Sequence, residues 1–229
     1  GLFFKIIFLS SALLSILLSM RYLDIEGIQS GEYYSLMFFS VVGMMFMACA
    51  ADLITVFVGL ELMAISVYIL VGYLRGNRKS NEAALKYFLL GAFSTGIFVY
   101  GTSLIYGVTG STNLYEIGLA VGDGGAPSGM LLLALVLLTV ALGFKVAAVP
   151  FHAWAPDAYE GAPTAITAFI STAAKAAAFV VFIRVYAVAF QGLRDQWTLL
   201  LAVLSVASMT LGNITALLQD NMKRMLAYS

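Results

Sequence analysis

Glu61, Lys145 and Lys175 each stand near the middle of an apolar run long enough to cross a lipid bilayer. An ionisable side chain at the bilayer centre costs ~2.5–3.5 kcal/mol on insertion scales. Three in one chain imply a use, most simply the movement of charge between the two sides of a membrane. Glu61 lies nine residues after Asp52, in Leu-Ile-Thr-Val-Phe-Val-Gly-Leu-Glu-Leu-Met. A carboxyl and an ammonium facing one another in a low-dielectric medium trade a proton as their separation changes. Lys145 opens the run Lys-Val-Ala-Ala-Val-Pro-Phe-His-Ala-Trp-Ala-Pro-Asp. There Pro150 has no backbone donor and its ring clashes with the carbonyl of Val146, so the run predicts a kinked or broken helix. A break at membrane depth is tolerated where protein or a water-filled cavity satisfies the freed backbone groups. His152 follows Lys145 by seven residues. On a continuous helix that spacing sets both on one face, ~10 Å apart. Lys175 sits in Ser-Thr-Ala-Ala-Lys-Ala-Ala-Ala-Phe, whose small residues leave room for water or close helix approach. Two such lysines with a histidine between them predict a polar axis at mid-depth.

Other charged groups read differently. Lys86, two turns into its span, has Glu82 four residues before it, the spacing of a local ion pair with the lysine reaching to the interface. Arg184 is expected to snorkel at the outer end of its span. Asp157 and Glu160 fall in the reversal after the broken helix and are expected to brace it.

The elements that must position these groups follow from composition. Of the 229 residues, 62% are hydrophobic and 10% charged. Soluble domains carry roughly 25% charged residues, so a water-soluble globule is excluded. Seven segments satisfy the ~20-residue requirement of a transmembrane helix, at about 2–20, 33–50, 52–74, 80–107, 128–154, 163–190 and 196–218. The runs are long and do not alternate, which excludes a β-barrel. The fold class is therefore all-α and polytopic. Tyr33, Tyr34, Tyr73, Trp154, Tyr159 and Trp197 are expected as headgroup anchors near span ends. Arg21, Arg75, Arg78, Lys79, Lys223 and Arg224 fall on one side of the membrane, which the positive-inside rule makes the cytoplasmic side. The 108–127 stretch, Gly-rich and without Lys or Arg, reads as a long loop on the other side. Twelve basic and twelve acidic residues balance, and no basic tract suggests nucleic acid. A single cysteine, Cys49, and a single histidine give no ligand set for haem, iron–sulfur or multi-His metal centres. No cofactor is expected in this chain. The apolar opening at Gly1 and the basic turn before Ser229 suggest an internal fragment of a longer polytopic protein.

The segment Lys145–Pro163, with Glu-Ala-Ala-Leu-Lys-Tyr-Phe at 82–88 and Asn-Met-Lys-Arg-Met-Leu-Ala-Tyr-Ser at 221–229, resembles the antiporter-like proton-pumping subunits of respiratory complex I. Tyr-Glu-Gly-Ala-Pro at 159–163 favours the subunit N branch. The resemblance implies a translocase subunit of NADH:quinone oxidoreductase, without a direct NADH site. It implies other complex I membrane subunits, lipid and protons as partners, and a multi-pass place in a bacterial inner membrane. It also implies two inverted five-helix repeats. Residues 1–32 are then a leading helix and loop, 33–190 the first repeat, and 191–229 the start of the second. By the same resemblance Glu61, Lys145, His152, Lys175 and Lys86 form a proton relay. Two other readings stand: an Mrp-type cation/proton antiporter or hydrogenase-linked subunit, and a non-transporting scaffold whose buried charges fix packing.

Overall fold

Among the described residues seven helices are long and apolar enough to cross a membrane, their most apolar stretches having mean hydropathy between 1.4 and 2.3. The computed structural model describes residues 2–27, 31–122 and 129–229. Four of these spans are single helices before the site is reached: α1 (Leu2–Glu26), α2 (Gly31–Cys49), α3 (Leu53–Val71) and α4 (Arg78–Thr109). Their ends are set by side chains that replace missing helical partners. Asp52 accepts from the Ile54 amide at 2.7 Å to start α3, and Asn77 accepts from the Lys79 amide at 2.9 Å to start α4. Gly110, at φ 71°, closes α4 in the left-handed region that favours glycine.

The expected loop at 108–127 contains α5 (Leu114–Gly122), a short helix capped by Asn113, which accepts from the Tyr115 amide at 2.9 Å. Its hydrophobic pair Leu114 and Ile117, three residues apart, is fully buried. That pair is the signal which the abundance of glycine obscured. Residues 123–127 of that stretch lie outside the described residues.

The fifth span is α6 (Gly129–Val146), and here the helix stops as Pro150 predicts. Residues 147–153 form turns that include Ala147 at φ 60° and a cis Val149–Pro150 bond. The short connecting helix α7 (Trp154–Gly161) follows. The sixth span is α8 (Thr164–Phe169), a π-helical turn at Ile170–Ala174, then α9 (Lys175–Arg184) and a second π-turn at Val185–Ala189. Such turns widen a helix locally and recur at functional sites. The seventh is α10 (Arg194–Leu217), followed by α11 (Met222–Tyr228), capped by Asn221.

The α2–α3 pair is packed backbone to backbone. A Cβ at Gly43 would lie 2.6 Å from the Gly59 carbonyl oxygen, and one at Gly59 would lie 2.8 Å from the Gly43 carbonyl oxygen. Small residues at helix crossings are how membrane helices gain dispersion contact. Gly59 is two residues from Glu61, so this contact fixes the depth and rotation of the acid. The core lies among α2, α3, α4, α6, α7 and the sixth span. In α10's span only 11% of the most apolar stretch is buried, against 56% in α3 and α6, so α10 is peripheral in this bundle.

Two expectations about the rings and Arg184 need correction. Trp154 and Tyr159 are each 1% exposed and Tyr33 is 0%, so they are core residues rather than headgroup anchors. Trp154 stacks on Tyr87 at 4.2 Å and 5°, a contact between the connecting helix and α4 that no intra-helix spacing reveals. Arg184 does not simply snorkel. Its Nη1 donates to the Ala48 carbonyl at 2.9 Å, placing a cation at the C-terminal end of α2, where the helix dipole favours it.

Candidate functional site

The break in the fifth span is satisfied by side chains from two directions. Trp154 Nε1 donates to the Phe144 carbonyl at 2.8 Å, and Ser208 on α10 accepts from the Val149 amide at 3.0 Å. Both groups are buried, and a backbone amide left unpaired in that setting costs about 1–3 kcal/mol. The sequence predicts the break; these bonds are what let it exist at membrane depth.

Glu61, one residue before the midpoint of the 19-residue α3, is half-buried. It accepts from Thr95 Oγ1 of α4 at 2.6 Å. Lys145, in the last turn of α6, is 6% exposed. Its ammonium donates to the Tyr68 hydroxyl at 3.2 Å and lies 5.6 Å and 5.7 Å from the ring centroids of Tyr68 and Phe144. Glu61 and Tyr68, seven residues apart, share a face of α3, so the residue that holds Lys145 stands on the same face as the acid. Among the described residues the two do not form a direct ion pair. Acid and base therefore share one locality without forming an ion pair.

His152 and Lys175 come together elsewhere, in a cavity of about 240 Å³ on the α10–α11 side of the break. Asn213, Ser208, Tyr228 and Ser229 add polar groups to its lining. His152 packs edge-on to Tyr228 at 5.8 Å, and its buried Nδ1 has no hydrogen-bond partner among the described residues. The Lys175 ammonium stands 5.4 Å from the ring centroid of Tyr159, a cation–π contact worth ~0.5–2 kcal/mol. The single-face geometry expected for Lys145 and His152 does not hold, because the helix ends at Val146 between them. Lys145 bonds toward α3, whereas His152 turns toward α11. The cavity is also lined by Val146 and Ala147, the two residues after Lys145, so the break separates the two clusters by a turn of chain.

Lys86 belongs to a third group at the polar end of the bundle. Its half-exposed ammonium pairs with Glu82 at 2.7 Å and Asp157 at 2.8 Å. The local pair is the one its spacing predicts; the bond to Asp157 is tertiary. Arg224 of α11 reaches Asp157 at 2.6 Å and Glu160 at 3.0 Å, and Lys79 reaches Glu160 at 2.8 Å. Asp157 and Glu160 thus brace the reversal as expected, and Lys79 and Arg224 meet on one side as loop counting predicts. Hydrogen bonds from Lys79 and Arg224 hold the Glu160 carboxyl below its ordinary value. Burial pushes the Asp157 carboxyl up, but hydrogen bonds from Lys86 and Arg224 outweigh it and leave this group low too.

Sequence reasoning passed over Tyr68, Thr95 and Asn213. Tyr68 had a usable signal, since it follows Glu61 by seven residues and so shares its helix face. Thr95 and Asn213 are ordinary polar residues in spans and carry no such mark.

Membrane-length helices, one span broken beside a buried lysine and an acid on a neighbouring helix define an antiporter-like membrane subunit. Residues 50–229 match the family described as NADH:quinone oxidoreductase/Mrp antiporter, TM, and the chain belongs to that family. It is 54% identical over 230 residues to NADH-quinone oxidoreductase subunit N of Trichlorobacter lovleyi, covering 100% of this chain and 47% of that one. Its fold matches a chain of respiratory complex I from Thermus thermophilus with TM-score 0.81 and 38% identity, over 98% of this chain and 47% of the other. A chain of the Mrp complex from Dietzia sp. matches with TM-score 0.81 and 27% identity, over 98% and 42%. The subunit N likeness expected from the motifs is borne out. The chain spans about half the length of the relatives it matches.

Proposed function

We propose that these residues carry part of the proton path of a membrane subunit of NADH:quinone oxidoreductase. The observation that carries the reading is the buried Lys145 ammonium on the last turn before a broken span, bonded to Tyr68 on the face of α3 that also carries Glu61 and not paired with that acid. Moving the end of α6 changes the Glu61–Lys145 separation, and a proton passes between acid and base as it changes. His152 and Lys175, which share the 240 Å³ cavity beyond the break, take the proton onward. Lys86, held between two carboxylates at the polar end, is assigned the surface end of the path. Coupled sites titrate as a set, so no single value belongs to one member. Residues 33–190 then make up a first repeat, with 191–229 opening a second. Electron transfer belongs to partner subunits, because this chain has one cysteine and one histidine to offer a redox centre. The host membrane is a bacterial inner membrane, in keeping with the bacterial source of the relatives.

The test is Glu61→Gln and Lys145→Ala in the assembled enzyme, assayed in inside-out vesicles for protons pumped per NADH oxidised. Both variants assemble and lose pumping. Full pumping stoichiometry in either one refutes the reading. The Mrp match supports a second reading, cation/proton antiport. It requires that pumping respond to a sodium gradient, whereas the complex I reading requires that it respond to NADH.

A further inference from the structure

The exchange between Glu61 and Lys145 needs something to hold the ammonium short of the acid. We propose that Tyr68 is that positioning residue, and that Gly91 of α4 is the notch that admits its hydroxyl. The inference rests on the proton-path reading above and names the part that sets its resting geometry.

Tyr68 follows Glu61 by seven residues, so both side chains leave the same face of α3, ~10 Å apart along its axis. The Tyr68 hydroxyl accepts from Lys145 at 3.2 Å, and the ammonium also stands 5.6 Å from the Tyr68 ring centroid. The two distances place the ammonium beyond the hydroxyl end of the ring, so Tyr68 holds the cation through its oxygen. The ring itself is fixed by edge-on contacts with Tyr87 at 4.7 Å and 84° and with Phe88 at 5.9 Å and 75°. Only a residue without a side chain fits where the hydroxyl lies. A Cβ at Gly91 would sit 1.9 Å from the Tyr68 hydroxyl oxygen and 2.6 Å from Cζ.

One turn further along the same face of α4, Thr95 donates to Glu61. A single strip of α4, Gly91 and Thr95, thus seats both partners of the exchange. The acid is held by a hydroxyl from α4, and the base by a hydroxyl that α4 makes room for. Lys145 stands on the last turn of α6, where the helix stops one residue later. A small displacement of that turn takes the ammonium off Tyr68 and toward Glu61. Tyr68 holds the proton's carrier and does not itself carry the proton.

The experiment uses the assembled enzyme in inside-out vesicles, with Glu61→Gln and Lys145→Ala run alongside. Tyr68→Phe keeps the ring and removes the hydroxyl. It is expected to assemble, to pump ~10-fold more slowly, and to displace the pH–rate profile of pumping by ~1 unit, the scale of one hydrogen bond to a charged group. Gly91→Ala, which retains the Tyr68 hydroxyl but evicts it from the notch, is expected to do the same. Wild-type rate and profile in Tyr68→Phe overturn the inference, and so does a slower rate with an unmoved profile, which marks a merely structural role. Should Tyr68→Phe fail to assemble, 3-fluorotyrosine at position 68 keeps the shape and changes the acidity of the hydroxyl. An unmoved profile there overturns the inference as well. If Glu61→Gln and Lys145→Ala stop pumping while Tyr68→Phe behaves as wild type, the proton-path reading stands and this inference alone falls.

Discussion

Ser208→Ala removes one oxygen from the chain and tests whether α10 secures the break in the fifth span. Val149 is 5% exposed and its amide bonds to Ser208 Oγ at 3.0 Å. The same oxygen donates to the Leu204 carbonyl at 2.7 Å, a local bond whose loss leaves α10's own ladder intact. Alanine fits the space, so no steric term enters. What remains is a buried amide without a partner, at about 1–3 kcal/mol. At 1.4 kcal/mol per factor of ten, opening of the 147–153 turn becomes about 5- to 150-fold more frequent. Hydrogen exchange of the assembled enzyme, followed by mass spectrometry over the peptide containing Val149, reads that factor directly. Ser208→Thr keeps the hydroxyl and is expected to restore protection. The bonding argument fails if exchange in Ser208→Ala stays within two-fold of wild type, or if threonine restores nothing.

Gly43→Ala places a Cβ 2.6 Å from backbone atoms of α3, where nothing flexible yields. It is expected to cost ~1–3 kcal/mol and to lower both thermal survival and pumping, while Gly96→Ala on α4, with nothing within 4 Å of its Cβ, leaves both unchanged. The ion pairs that join α11 to α7 weaken in acid. The Asp157 and Glu160 carboxyls are depressed in the folded chain, so their contribution is complete above the ordinary carboxylate value of about 4 and is lost as pH falls through their lower folded values. Partly exposed pairs of this kind contribute ~1 kcal/mol or less each. Arg224→Gln is accordingly expected to loosen α11 modestly at pH 7, measured by proteolytic nicking after α10, and to remove any further loosening below pH 4.

Some features of this protein needed no neighbours to be legible. Uninterrupted apolar runs set seven spans because a bilayer admits little else; most of their bounds follow the helices within a few residues, but the first helix runs on to Glu26 and the fifth stops at Val146, well before the expected end at 154, where the first was expected to end at 20. Pro150 announced the broken helix because a missing donor and a ring clash act locally. Three charged residues in apolar runs pointed to transport because insertion is costly wherever it occurs. The π-turns flanking α9 were not legible: nothing in Ile170–Ala174 separates a widened turn from an ordinary one, and packing around the sixth span selects it.

Which group faces which was decided only by the folded chain. Spacing within a helix sets a residue's face but not what lies opposite, since that depends on how neighbouring helices rotate and how closely they approach. So Lys86 met Asp157 seventy-one residues away, and Trp154 stacked on Tyr87 instead of lying at a headgroup. Lys145 and His152, seven residues apart, turned to opposite sides of a broken turn. From the sequence alone came the charges, their depth and the hinge between them. Tertiary packing supplied the partner of each charge, because low dielectric and a close-packed backbone leave a buried ion only the neighbours that adjacent helices present.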